Sequence, residues 1–272
     1  MKIAFEEYLK LPGISNSDLK HLKKSIAHYL HYKQQPPEER ETTTAQALGI
    51  AGHTLLFEPE TFEEKFLVTP SDNWRLKENT EARDSAEKQG KLGIKPSELA
   101  DSQEMVSAIK EHPIAGKMIE LTGNYEVEST SLFKYSPGED IPPFDMRVRF
   151  DYINHDKAYF LDLKTIEDCS TTHKVINSIM NYEYYRQMGL YSLAAYISYN
   201  KFYEGRIIFA EKKAPYGIKV FKLDDSLFQY ALKEINELLQ KLWEYEQNKD
   251  MWTGYPLEFE TAYLPNYLMS EL

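Results

Sequence analysis

RFDYINHDKAYFLDLKT, residues 149–165, contains two runs rich in β-branched and aromatic residues on either side of a polar Asn154-His155-Asp156-Lys157 turn, the pattern of a β-hairpin. A turn centred between Asp156 and Lys157 sets Asp151 on one strand opposite Asp162 on the other. Two carboxylates opposed on a half-buried surface repel each other unless one is protonated or a cation lies between them. Hard oxygen ligands at this spacing suit Mg²⁺ or Mn²⁺. Strand residues two apart share a face, so Lys164 projects beside Asp162, while Leu161 and Leu163 turn to the core on the other side. Asp-x-Lys on a strand is common and carries little meaning alone. Here the acid sits between apolar residues in YFLDLKT, which predicts burial, and faces a second acid. In phosphodiester hydrolysis a metal activates water and neutralises charge developing on phosphorus, and a neighbouring lysine can orient that water or stabilise the pentavalent state.

Upstream of the hairpin, NYEVESTSLFKY and DMRVRFDYI read as strands. Before them the pattern is helical. GISNSDLKHLKKSIAHYLHYKQQPP shows Leu19, Leu22, Ile26 and Leu30 at helical spacing, with Asn16 or Ser17 as N-cap and Pro36-Pro37 as the stop. TTTAQALGIAGHTLLFEPE predicts a second helix, capped by Thr42 or Thr43 and ended by Pro59, with Leu48, Ala51, Leu55 and Leu56 as its buried stripe. Gly49, Gly52 and His53 share another face, and glycines that cost about 1 kcal/mol each inside a helix imply that something packs close there. Residues 71–95 are charged and aperiodic, a mobile loop or a solvated helix. SELADSQEMVSAIKEHP follows as a helix with Ser97 as cap, then a short helix to about Leu121.

Downstream, a long helical stretch runs from about Thr171 to Tyr196. KFYEGRIIFAE and GIKVFKL form strands around an Ala214-Pro215-Tyr216-Gly217 turn, and DDSLFQYALKEINELLQKLWEYEQ is an amphipathic helix capped by Asp224 or Asp225. The expectation is one α/β (α+β) domain over residues 1–272: a mostly helical part to 122, a catalytic sheet core over 123–224, and a C-terminal helix and tail over 225–272.

The chain of 272 residues, 42% of them hydrophobic, can bury a real core. No run approaches the roughly 18 apolar residues of a membrane span, and MKIAFEEYLK carries acids where a signal peptide is basic and then apolar, so a cytoplasmic location is expected. Cys169 is the single cysteine: it can form no internal disulfide and cannot build an iron–sulfur cluster. The net charge of −11 opposes non-specific coating of DNA, though acids gathered around metal ions and a local basic groove are compatible with it. It also leaves room for a non-catalytic acidic module that binds a basic partner.

The Asp…Asp-x-Lys hairpin resembles the core of the PD-(D/E)xK nucleases, which implies a central mixed sheet flanked by helices. Most of the chain is similar to the nuclease region of the exonuclease VIII (RecE-type) enzymes of prophage recombination systems, through YLKLPGISNSDLKHLKKSIAHYLHY, LGIAGHTLLFEPETFEEKFLV, EVESTSLF, the hairpin, YYRQMGLYSLAAY and GYPLEFETAYLPNY. The resemblance implies a metal site at His53, Asp151, Asp162 and Leu163, catalytic roles for Glu128, Asp151, Asp162 and Lys164, and a site-shaping or DNA-holding role for Gln187 and Tyr191. Glu126, two positions before Glu128 on the expected strand face, can exchange places with it. The implied activity is ATP-independent, Mg²⁺-dependent (or Mn²⁺-dependent) hydrolysis of linear double-stranded DNA from an end, 5′ to 3′, leaving 3′ single strands for recombination. A ring-shaped homo-oligomer and a RecT-type annealing protein are the implied partners. No Walker-type phosphate loop is present, consistent with hydrolysis without a motor. An endonuclease of the same fold is the nearest alternative.

Overall fold

The computed structural model describes residues 1–36, 44–255, 257–258 and 261–263. The expected caps Thr42 and Thr43, and parts of the closing GYPLEFETAYLPNY segment, lie outside the described residues. The chain opens with α1 (Phe5–Lys10), α2 (Asn16–Lys24) and α3 (Ile26–Gln34). The cap of α2 is Ser15, one residue before the nearer expected cap: Ser15 and Asp18 form a reciprocal box, the Asp18 N–H donating to Ser15 Oγ and the Ser15 N–H to Asp18 Oδ2. The single helix expected here is broken at Ser25, which takes an extended conformation and accepts from the His28 N–H, so it ends one helix and caps the next.

α4 (Thr44–Phe57) carries His53, and a 3₁₀ turn at Pro59–Thr61 leads through α5 (Phe62–Lys65) to β1 (Phe66–Val68). The charged stretch 71–95 is ordered as α6 (Lys77–Lys88) followed by β2 (Leu92–Ile94), which pairs parallel with β1. α7 (Pro96–Glu111) and the short α8 (Ala115–Met118) follow. Ser97 is not the cap of α7. Pro96 takes the first helical position, Glu98 accepts from the Lys95 N–H, and the Ser97 N–H donates to Asp72 Oδ1 from the preceding loop.

The central sheet has the order β3 (Tyr125–Tyr135), β4 (Phe144–Asn154), β5 (Tyr159–Ile166), β6 (Glu204–Glu211), β7 (Ile218–Lys222), antiparallel except for the parallel pair β5 and β6. That parallel pair is joined by α9 (Thr172–Asn181) and α10 (Tyr184–Tyr199), which are separated where one long helix was expected: Glu183 sits at φ +60°, outside helical space. α11 (Asp225–Gln247) closes the domain, capped by Asp224. The sheet is thus mixed and covered on both faces. One core joins Val148, Phe150, Phe160 and Phe209 to α2, α10 and α11; the other joins Tyr152, Leu161, Leu163 and Ile208 to α4, α7 and α8. Among the described residues no helix is long and apolar enough to cross a membrane.

The glycine face of α4 does meet close neighbours. A Cβ on Gly49 would stand 3.5 Å from Thr165 Oγ1 on β5, and one on Gly52 would collide with the tip of Met105 on α7. A second close helix contact lies elsewhere, where a Cβ on Gly189 of α10 would fall 2.4 Å from the Ala231 Cβ of α11. Neither backbone can yield without repacking. Gly189→Ala should therefore lower stability by about 1–2 kcal/mol, overpacking outweighing the better helix propensity of alanine. Urea unfolding measures this, and a raised midpoint would show that the two helices are not in that contact.

Candidate active site

The site forms where the sheet comes apart. The hairpin register places Tyr152 beside Leu161, Ile153 beside Phe160 and Asn154 beside Tyr159, with the turn at residues 155–158, one position later than expected. Continued by one step, the same register sets Asp151 level with Asp162, but the β4–β5 ladder ends before that step while β5 remains paired to β6 through Ile166. In place of a main-chain partner, the Leu163 N–H donates to Asp151 Oδ2 at 2.9 Å.

β3 changes at the same level. Val127 pairs with Tyr152 and Ser129 with Phe150, so Glu128 stands opposite Asp151 without a ladder pair, at φ +52°. Positive φ is costly for a residue with a side chain and reverses the pleat locally. Tyr125 and Val127 accordingly pack on the α4 and α7 side, whereas Phe133 packs on the α10 side and Ser131 reaches Ser198 of α10, although all four are odd-numbered. The alternation that would make Glu126 and Glu128 equivalent does not survive this step. Glu126 turns away to Ser129 and His155, while Glu128 enters the site. Glu128, Asp151 and Asp162 thus form one row across three adjacent strands.

Charged partners converge on that row. From α4, His53 bridges two of the acids, Nδ1 at 2.9 Å from Glu128 Oε1 and Nε2 at 3.0 Å from Asp151 Oδ2, with its ring against Phe57. Burial opposes a charge on the imidazole, but the Asp151 and Glu128 carboxylates outweigh it and push its pKa up to about 10. Glu128, whose burial works the other way, is held down at about 2 by His53 and by Arg149, whose Nε donates to Oε2. Asp162 is 1% exposed. Burial, reinforced by the Asp151 charge, pushes its carboxyl up to about 6 despite the opposing pull of Lys164. Lys164 Nζ lies 2.7 Å from Asp162 Oδ2, and its pKa is raised because Asp162 and Asp151 more than offset the cost of burial.

The helix α10 completes the site. Gln187 donates from Nε2 to Asp162 Oδ1 at 2.7 Å and to the buried Tyr191 hydroxyl at 3.2 Å, so the expected Gln-x-x-x-Tyr pair bears on the acid row. Tyr184, one of the tyrosines around residues 182–196 that the sequence offers as base-stacking or core-edge side chains, covers the Lys164 ammonium with its ring at 4.9 Å, a contact the sequence does not show. Arg149 was also missed. Its position two residues before Asp151, between the buried Val148 and Phe150, was the available signal.

The donor set fits a divalent cation. His53, Glu128 and Asp151 offer one ligand atom each within 4.8 Å of one another, a nitrogen and two hard oxygens. Asp162 Oδ2 is buried and, although close to Lys164, lies outside hydrogen-bonding geometry, leaving a carboxylate oxygen with unused capacity. Leu163 touches this group only through its main-chain N–H, which donates a hydrogen bond to Asp151 and is not a metal ligand, and its side chain lies in the core as expected. A cation that takes a His53 nitrogen displaces the proton held there, so binding should strengthen as pH rises, by up to tenfold per unit below about pH 10. Calorimetric titration with Mn²⁺ between pH 6 and 8 should show this dependence, and His53→Ala should flatten it. Binding that does not vary with pH would mean His53 is no ligand.

A mixed sheet split beside a row of three acids and a lysine defines a PD-(D/E)xK-type domain. The sequence from residue 15 to 255 matches the family described as "PDDEXK-like domain of unknown function (DUF3799)", and the chain belongs to that family. Among solved structures it is similar to the crystal structure of a "Putative exonuclease" from Eubacterium rectale, 14% identical, with a TM-score of 0.65 over 100% of this chain and 98% of that one. Identity that low speaks to a shared fold. SSO0001, 15% identical over 71% of this chain and 87% of its own, has a TM-score of 0.31 and carries no argument. None of the curated proteins matches the chain.

Proposed function

We propose that this protein is a divalent-metal-dependent exodeoxyribonuclease that hydrolyses linear double-stranded DNA from an end, 5′ to 3′ and without ATP, leaving 3′ single strands for recombination. The observation that carries the hydrolytic part is the level row of Glu128, Asp151 and Asp162 at the split between β4 and β5, with His53 across it and Lys164 beside it. Membership of a PDDEXK-like family and the fold shared with a protein described as a "Putative exonuclease" support it. End dependence, polarity and the use of the product rest on the similarity of the sequence motifs to the exonuclease VIII type, as do a ring-shaped assembly and a RecT-type annealing partner.

His53, Glu128 and Asp151 would hold the ion, and Asp162, the third acid of the row, keeps an oxygen without a hydrogen-bond partner. Mg²⁺ or Mn²⁺ there would supply an activated water and neutralise the scissile phosphate. Lys164 keeps its proton, so its part is to stabilise negative charge growing on phosphorus rather than to remove a proton. Gln187 fixes the rotamer of Asp162, and Arg149 that of Glu128, so that neither acid must reorganise when substrate arrives.

Digestion of duplex DNA labelled at either the 5′ or the 3′ end, with Mg²⁺ or Mn²⁺, tests the reading. The 5′ label should be released first, and covalently closed circles should stay intact. Asp162→Ala should lose on the order of 10³-fold or more in rate, and Lys164→Ala about 10²–10³-fold. A wild-type protein inert with every metal would overturn the hydrolytic assignment, and cutting of closed circles would make it an endonuclease.

A further inference from the structure

Away from the acid row, the elbow between α9 and α10 holds an aromatic stack that leads from the active site to the surface. The Tyr184 ring covers the Lys164 ammonium, and the Tyr182 ring stacks on Tyr184 with centroids 5.6 Å apart and planes 26° from parallel. Tyr182 is the outermost ring and is 60% exposed, a large share for an aromatic side chain with a rigid support beneath it. The support is built rather than incidental. Glu183, between the two tyrosines, is held in left-handed conformation by Arg186, fully buried, and by Lys23, at 2.6 Å and 2.8 Å. Arg186 also pairs with Glu234 of α11, so the elbow is tied to two neighbouring helices.

The surroundings suit a nucleic-acid strand. On α9, one helical turn apart, Ile176 and Met180 are exposed next to the elbow. On its other side, Lys20, Lys23 and Lys24 of α2 line a hollow together with Asn181 and Glu183, the two residues that bracket Tyr182. Lys23 is bound to Glu183 and Glu234, whereas Lys20 and Lys24 have no ion-pair partner among the described residues. In a chain of net charge −11, two lysines without an ion-pair partner among the described residues, near an exposed ring that stacks on the tyrosine covering Lys164, are a local reversal of sign.

We propose that Tyr182 is a stacking platform for an unpaired base of the substrate, next to the phosphate that Lys164 faces, and that Lys20 and Lys24 carry the backbone of the same strand. The occupant is a single-stranded stretch of DNA, because a base in an intact duplex offers no free face for a ring to cover. The duplex is therefore opened at the site before hydrolysis. The proposal rests on the nuclease reading for the identity of its ligand, but not for its test.

Binding is measured in EDTA, where hydrolysis is absent, with oligodeoxythymidylate carrying one 2-aminopurine. Wild type should quench the fluorescent base and bind the single strand more tightly than a blunt duplex of equal length. Tyr182→Ala should weaken single-strand binding by about tenfold and abolish the quenching, while Tyr182→Phe should keep both, since the ring face and not the hydroxyl does the work. Lys20→Ala with Lys24→Ala should weaken binding but leave the quenching of bound DNA unchanged. The proposal is overturned if Tyr182→Ala binds and quenches like wild type, if Tyr182→Phe is as defective as Tyr182→Ala, or if wild type does not bind single strands. Cleavage by a Tyr182→Ala protein that binds normally would sink the platform and leave the nuclease standing. Quenching that depends on Tyr182 in a protein that cleaves nothing would do the reverse.

Discussion

The bond from the Leu163 N–H to the Asp151 carboxylate governs the rest of this structure. A buried main-chain donor must find an acceptor, and between regular strands a carbonyl supplies it. Here a side chain takes that place, so β4 and β5 can separate after Tyr152 and Leu161 without leaving the donor unmet. The separation creates the space in which the acid row stands. Positive φ at Glu128 is the matching adjustment on β3, bringing its carboxylate level with Asp151 at the cost of an unfavourable backbone conformation. Strain of that kind persists only where surrounding structure enforces it, and His53 and Arg149 grip this side chain from two directions.

Electrostatics explains how so acidic a centre can be buried. The three carboxylates of the row are matched by three cationic side chains, His53, Arg149 and Lys164, so the site carries little net charge without a metal. Of the three, His53 is the one whose charge a metal can replace, because an imidazole that gives up its proton becomes a ligand, while a guanidinium cannot. The whole-chain charge of −11 is therefore a poor guide to what the site attracts. The arrangement of charges within a few ångströms decides that.

Much of this was legible in the sequence, and the exceptions have physical reasons. The hairpin register followed from its turn and from strict two-residue alternation in YFLDLKT, which also put Asp162 and Lys164 on one face and Leu161 and Leu163 in the core. Glycines on the His53 face of α4 signalled close packing, and Met105 and Thr165 are the neighbours. What alternation could not show is its own failure: nothing in EVES marks the reversal that separates Glu126 from Glu128. Helix boundaries misled wherever a polar side chain from outside the expected position did the capping, as Ser15, Ser25 and Asp72 do. The break at Glu183 was invisible for a similar reason, since it is held by Arg186 and Lys23, and Lys23 is more than 150 residues away in the chain. That Tyr184 covers Lys164 could be found only once α10 was laid over β5.

The proposed mechanism requires a divalent cation between His53, Glu128 and Asp151, where the sheet divides. Crystals grown with Mn²⁺ and measured near its absorption edge test this most directly. One dominant anomalous peak is expected within coordination distance of His53, Glu128 and Asp151, with the imidazole no longer bridging the two acids. Manganese bound elsewhere, or a His53 bridge left intact under saturating metal, would contradict it.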